Sequence, residues 1–359
     1  MLKGGSKVKR HFLMLAHKFE EKKHDIGGWF LSEKLDGMRA FWDGGITRGM
    51  ELKDVPWANT EKDARYRVQP KSTGLWSRYG NTIQAPDLWL DHLPKGIFLD
   101  GEIWIGRGQH QRLMSIVKDL VPGPGWPSVT YKVFDFPPTD VIFANGHIDE
   151  TNYKKSFTGI LHCGLKFPLN RILRFDAAVQ QMIGFGGWNA IVGPLPQHRL
   201  VMSTGSAMVE MGKLLKGIED NGGEGIVLRH PKSWWVPQRS HQLLKMKTLH
   251  DAEAIVVGYT SGRETDLGSK LLGLMGALIV RYKGKEFELS GFTDKERRLE
   301  INGDYIKARD YCSERPGTRV DAAGISNPSF PIGSKVTFQY RELTDDGRPK
   351  EARYWRKFQ

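Results

Sequence analysis

The sequence predicts an α+β protein of two domains. Residues 1–250 form a mixed domain of antiparallel strands with helices, and residues 251–359 form an all-β domain of small-barrel type. Length is the first reason, because 359 residues exceed what one small core covers. The second is the change of texture near residue 250. Upstream, short apolar strand-like runs alternate with helical periodicity. Downstream, AEAIVVGYT, GALIVRYKG, KEFELSGFT and SKVTFQYREL are strand runs with turn signals between them.

Taken in order, Trp29-Phe30-Leu31 and Ala40-Phe41-Trp42 flank Asp36-Gly37, a pattern that predicts a hairpin over residues 28–43. IFLDGEIWI (97–105) and VTYKVFDF (129–136) read as strands. Residues 111–119 read as a helix, and the Pro/Gly-rich VPGPGWP behind it as a loop. Met211, Leu214, Leu215 and Ile218 recur at helical spacing until Asn221-Gly222-Gly223 ends the run. EGIVLR (224–229) and QLLKMK (242–247) are short apolar runs that carry charges, and they read as strands. Within the second domain, an insertion around residues 293–330 separates the barrel strands. It is far longer than an ordinary connection, balanced in charge and partly helical in pattern.

Composition narrows the function. The net charge of +12 and pI near 9.5 suit a polyanionic partner as well as plain solubility. The excess lies in residues 1–250, with 34 Lys+Arg against 24 Asp+Glu. It includes Lys3, Lys7, Lys9 and Arg10 near the N-terminus. No run is long and apolar enough for a membrane span, and the apolar piece Phe12–Ala16 is too short for a signal-peptide core. The expected location is the cytoplasm, that of a bacterial host if the chain is phage-encoded. Two cysteines, Cys163 and Cys312, supply neither a disulfide framework nor a four-cysteine zinc site. The eleven histidines fall singly, without the spacing of a histidine metal site.

Several charged strings sit in or beside predicted strands: Lys34-Leu-Asp36-Gly37, Ser77-Arg78-Tyr79-Gly80, Asp100-Gly101-Glu102, Phe134-Asp135, Glu224-Gly225 and Lys245-Met-Lys247. Charge inside an apolar strand is costly unless it is paired or used. Lys245 and Lys247 are two apart, so on a strand they share a face. Their ammonium groups repel unless an anion such as a nucleotide phosphate lies between them. A solvent-facing strand edge accommodates the same pair, and Glu102 and Glu224 read equally as salt-bridge partners.

The order and spacing of the whole set are more specific. EKLDGMR, SRYG, LDGE, the aromatic of KVFDF, EGIVLR and LLKMK resemble, in order, the nucleotidyl motifs of the covalent nucleotidyltransferase superfamily. Within that superfamily the chain resembles the ATP-dependent DNA ligases, and EIWIGRGQHQRLMSIVKD looks most like the small bacterial and phage type. The resemblance implies a nucleotidyltransferase (adenylation) domain with ATP-grasp-like antiparallel sheets and helices, followed by an oligonucleotide-binding (OB) fold barrel. The end of the chain departs from the family's C-terminal basic motif, since EARYWRKFQ offers Arg356 and Lys357 but no Asp-Lys pair.

The resemblance implies the following roles. Lys34 attacks the α-phosphate of ATP to form lysyl-AMP, with Asp36 beside it orienting the amine or a neighbouring group. An exposed lysine titrates near 10.4, so cations crowded around it (Arg39, Lys245 and Lys247) are expected to favour the neutral amine. Mg2+, with Mn2+ as a substitute, takes oxygen ligands from Glu224 and Glu102. Phe134 stacks on adenine, Glu33 joins the nucleotide site, and Arg39 and Arg78 fork onto phosphate oxygens of nucleotide or DNA. AMP then passes to the 5′-phosphate of a nick, and the 3′-OH displaces it. The expected partner is nicked duplex DNA, bound by a monomer without a membrane. Arg315 and Arg319 of the insertion are expected to contact DNA and help close a clamp around it. An mRNA-capping guanylyltransferase and an RNA ligase share the Lys-x-Asp-Gly core. They remain the alternative readings, with a non-catalytic nucleic-acid-binding module as a third.

Overall fold

The computed structural model describes residues 13–55, 57–59, 71–138, 173–264, 270–320, 324–341, 343–344 and 346–357. The N-terminal lysines Lys3, Lys7 and Lys9, with Arg10 and Cys163, lie outside them. The chain divides into two compact units, Met1–Lys247 and Thr248–Gln359.

The first unit holds β1 (Leu15–Lys18), β2 (Phe30–Glu33), β3 (Met38–Asp43), β4 (Leu75–Ser77), α1 (Asp87–Leu90), β5 (Phe98–Trp104), α2 (His110–Val117), β6 (Thr130–Asp135), α3 (Phe175–Gly184), β7 (Val192–Pro194), β8 (His198–Arg199), α4 (Thr204–Asp220), β9 (Ile226–Arg229) and β10 (Arg239–Met246). They form two five-stranded sheets, ordered β1-β10-β9-β2-β8 and β4-β3-β5-β6-β7.

The alternation of side chains sets three apolar layers. Ala40, Trp42, Leu99, Ile103, Tyr131 and Val133 point from the β3/β5/β6 face onto α1, α2 and α3. Leu31, Ile226, Leu228 and Leu244 point from the other sheet onto Met211 and Leu215 of α4. Between the sheets, Phe41, Trp57, Trp76 and Phe98 meet Trp235 and Leu243. Helix α4 buries Ala207, Met211 and Leu215 at four-residue spacing. It stops at Asn221, followed by Gly222 at φ +76°.

The expected hairpin over residues 28–43 does not form. β2 pairs with β9 and β8, whereas β3 pairs with β4 and β5, so Asp36-Gly37 carries the chain from one sheet to the other. Gly37 is required by proximity rather than by a turn, because a Cβ there would lie 2.3 Å from the Ile103 carbonyl oxygen and 2.7 Å from Glu102 Cγ. Gly101 has the same reason, 2.5 Å from the Lys132 carbonyl oxygen.

The second unit holds β11 (His250–Ser261), β12 (Met275–Tyr282), β13 (Lys285–Leu289), β14 (Glu300–Ile301), α5 (Tyr305–Ser313), β15 (Arg319–Val320), β16 (Ile325–Ser326), β17 (Lys335–Tyr340) and β18 (Arg353–Lys357). Its main sheet runs β13-β12-β11-β17-β18, with β15 also on β11. The outer strands meet at a single parallel bridge, Ser290 with Arg353, rather than along a closing ladder. Among the described residues this is a curled sheet and not a fully closed barrel. Val256, Tyr259, Leu278, Phe330 and Phe338 fill its concave side, and the Tyr259 hydroxyl donates to the Phe330 carbonyl at 2.8 Å. The insertion contributes α5, capped by Asp304 and buried through Ala308 and Cys312. The chain end, read as a basic motif, is strand β18, which places Arg356 opposite Thr337 and Lys357 opposite Val336.

Candidate active site

The site is built where the two sheets of the first unit face each other. In the β2/β9/β10 sheet the register sets Ser32, Val227 and Lys245 abreast. Two rows further, the same register brings Lys34, Gly225 and Lys247 together, and the Lys34 N–H donates to the Gly225 carbonyl at 2.8 Å. Lys34 and Lys247 thus flank a residue without a side chain. A Cβ on Gly225 would lie 2.4 Å from the Met246 carbonyl oxygen and 2.9 Å from Lys247 Cβ, and its φ of +148° also favours glycine. The chain needs Glu224-Gly225 because the glycine lets the strand pass while the glutamate turns toward the lysine. Lys34 Nζ lies 2.5 Å from Glu224 Oε1, and the Glu224 side chain is only 3% exposed.

The opposite wall is the β3/β5/β6 sheet. Arg39 stands opposite Glu102 in register and Phe134 follows on β6. Arg39 donates from Nε and Nη2 to the two oxygens of Asp100, both at 2.6 Å, and from Nη2 to the Met14 carbonyl at 3.2 Å. The Trp235 indole donates to Asp100 at 2.9 Å. Burial works to lower the Arg39 pKa, but the Asp100 charge beside it prevails and the pKa rises. The Phe134 ring lies over the Arg39 guanidinium, 4.6 Å from the ring centroid. Behind this wall, Arg229 and Asp135 form a buried ion pair at 2.9 Å that joins the two sheets.

Glu102 is pushed up to about 7. Burial is the main cause, Arg39 and Lys34 act against it, and the neighbouring carboxylates Glu224 and Asp100 reinforce it. Glu102 is half-buried and the Glu224 side chain nearly covered, and the two carboxylates feel each other's charge beside the lysine. Among the described residues no cluster of three or more acidic, histidine or cysteine side chains forms a metal site.

Some expectations take a different form. Arg39 offers no bare cation to Lys34, since Asp100 neutralises it in a two-pronged pair. The Lys34 ammonium pairs with the Glu224 carboxylate. Glu33 faces Arg107, which grips both carboxylate oxygens at 2.8 Å. Asp36 faces His110, with Oδ1 3.5 Å from Nδ1. Arg78 is exposed and folds onto its neighbour, donating to the Tyr79 hydroxyl at 2.5 Å. In the second unit Arg315 lies over the Tyr311 ring at 4.1 Å, Arg319 reaches Glu286 at 3.4 Å, and both remain substantially exposed. The Arg356 guanidinium lies over the Trp355 ring at 4.4 Å.

Sequence reasoning left out Asp100, Arg107, Arg229 and Trp235. Asp100 stood in the quoted LDGE string and Arg107 in the run behind it. Their roles depend on partners more than sixty residues away, which no spacing rule reveals.

In the first unit two facing sheets hold the Lys-x-Asp-Gly lysine, and a strand-rich second unit follows in the chain. Residues 267–357 match the DNA ligase OB-like domain family. A DNA ligase of Haemophilus influenzae is 26% identical over 345 residues, which span 96% of this chain and 91% of that protein. The structure of a Lig E DNA ligase, from work on DNA binding with a minimal scaffold, is 27% identical with a TM-score of 0.63. It is covered over 98% of its length by 96% of this chain. A Pmar-Lig structure, 19% identical with a TM-score of 0.60, shares the fold over 96% of this chain and 67% of its own. The resemblance to DNA ligases carried by the motifs holds over nearly the whole chain. Among the described residues no helix is long and apolar enough to cross a membrane.

Proposed function

We propose that this chain is an ATP-dependent DNA ligase that seals nicks in duplex DNA through a lysyl-AMP on Lys34. The observation that carries this reading is the Lys34–Glu224 pair at 2.5 Å, held beside Gly225 and near enough to Glu102 for both charges to act on it. A lysine ammonium is no nucleophile, and the Glu224 carboxylate is the group placed to accept its proton. The freed Nζ attacks the α-phosphate of ATP. A phosphorus–nitrogen bond forms and the bond to the pyrophosphate oxygen breaks.

Lys247, abreast of Lys34, offsets charge on the phosphates, and Lys245 extends the same face. Phe134 offers its ring to adenine. Nη1 of Arg39, unused by the Asp100 fork, would serve a phosphate oxygen. Glu102 and Glu224 would hold Mg2+, which neutralises phosphate charge when bound. In the second step a 5′-phosphate oxygen of the nick attacks the AMP phosphorus and Lys34 leaves as the amine. In the third the 3′-OH attacks the activated 5′-phosphate and AMP departs. Arg78, Arg315 and Arg319, exposed and cationic, suit DNA phosphates. The reading is completed by a monomer acting in the cytoplasm.

Incubation with Mg2+ and α-labelled ATP, GTP or adenylate-labelled NAD tests it. Label from ATP alone should survive denaturation, and a nicked duplex should then be sealed. Label from GTP in place of ATP would transfer the assignment to a capping guanylyltransferase. An enzyme sealing only RNA ends would be an RNA ligase.

A further inference from the structure

We infer that Arg107 is a positioning residue that sets the Lys34–Glu224 geometry from outside the reacting cluster. The inference rests on the ligase reading of that cluster. Arg107 lies in the short connection between β5 and α2, between Gly106 at φ +121° and Gly108 at φ +68°. Its fork grips Glu33, the residue before Lys34, through Nε and Nη2 at 2.8 Å each. Its remaining arm, Nη1, donates at 3.3 Å to the carbonyl of Asn221, which caps α4 three residues before Glu224.

One guanidinium therefore ties together the segment that delivers the lysine and the segment that delivers its carboxylate. The turn between them sits tight on this clamp, because a Cβ on Gly223 would lie 3.0 Å from Glu33 Oε1. The helix that follows the same connection brings His110 near Asp36, with Nδ1 3.5 Å from Oδ1. A planar fork fixes direction as well as distance, which a lysine in its place cannot do.

Arg107 is 35% exposed and Glu33 19%, so the pair is a weak contributor to stability. Its effect on reactivity is of another size, because a displacement of about 1 Å at a reacting group can cost about 10²-fold in rate.

The test is single-turnover formation of protein–AMP over a range of ATP concentrations. In Arg107→Ala the maximal rate constant should fall at least about tenfold, with half-saturating ATP within about twofold and the melting temperature little changed. Arg107→Lys keeps the charge without the fork and should stay slow. The swapped pair Arg107→Glu with Glu33→Arg should recover part of the rate. An unchanged maximal rate constant in both single variants would overturn the inference, as would a loss confined to ATP half-saturation. If Arg107→Ala does not fold, Arg107→Lys carries the same comparison. A wild-type protein that forms no adenylate at all would instead overturn the ligase reading, so the two failures are told apart.

Discussion

The two units use charge in opposite ways. In the first, arginines and carboxylates are buried inside the sheets: Asp100 is fully buried under Arg39, and the Arg229–Asp135 pair is less than a tenth exposed. In the second, the buried cation Arg297 is held by backbone carbonyls, those of Met275 at 2.7 Å, Gly276 at 2.5 Å and Phe292 at 3.3 Å, with Asp294 and Glu296 acting on it only through their charge among the described residues. Of the other arginines with described ion pairs there, Arg281, Arg315, Arg319 and Arg348 stay outside, and only Arg341, 4.0 Å from Glu351, is largely covered. Buried charge is expensive, and it persists where the geometry of a reacting group depends on it. Exposed cations cost little and suit a long polyanion.

The comparison can be broken at its strongest point first. Lys34→Ala should abolish protein–AMP and the sealing of ordinary nicks, yet still seal a nick that is already adenylated, because that step needs no amine. Stable label on the variant would remove Lys34 from its role. Next, Asp100→Ala leaves Arg39 buried without its carboxylate. It should cost about 3–5 kcal/mol of stability by chemical denaturation. A loss under 1 kcal/mol would show that this wall does not depend on the pair.

A smaller effect concerns pH. Burial pushes Asp43 up to about 6, against hydrogen bonds from Thr47 and from the Trp76 indole at 2.9 Å. The folded protein thus holds a proton that the unfolded chain releases near 3.8. Its contribution is present in full below that value and is lost as pH rises to about 6. The loss is roughly 2–3 kcal/mol as an upper bound. Glu102 adds a step of the same sign that ends near 7. Urea unfolding between pH 4 and 8 should show this decline. Asp43→Asn should flatten its lower part, and an unchanged slope would place the cause elsewhere.

The smallest effect on the fold lies in the second unit. Charge reversal of Arg315 and Arg319 should move stability by no more than about 0.5 kcal/mol and leave Lys34 adenylation intact. Affinity for nicked duplex should fall, and its salt slope should flatten by roughly 0.9 per lost phosphate contact. Unaltered affinity would confine the insertion to its place as a helical cap on the sheet.

Most strands and helices were legible from periodicity, as at Phe98–Trp104 and Thr204–Asp220, because burial on one face writes itself into local spacing. The string Lys34-Leu-Asp36-Gly37 was legible as chemistry but misleading as structure, since Asp-Gly between apolar runs is also the signature of a hairpin. β18 went unread because EARYWRKFQ lacks a clean alternation and gains its place only by pairing with β17.

The amino-acid sequence by itself determined the two-part layout and the order of the charged motifs, and it singled out Lys34 as the candidate nucleophile, since these rest on local pattern and residue chemistry. Tertiary structure alone decided which charges meet. Arg39 found Asp100, Lys34 found Glu224 and Arg107 found Glu33 across 61, 190 and 74 positions. Those distances in sequence are spanned by sheet register and close glycine packing, and neither is encoded within a short window of residues.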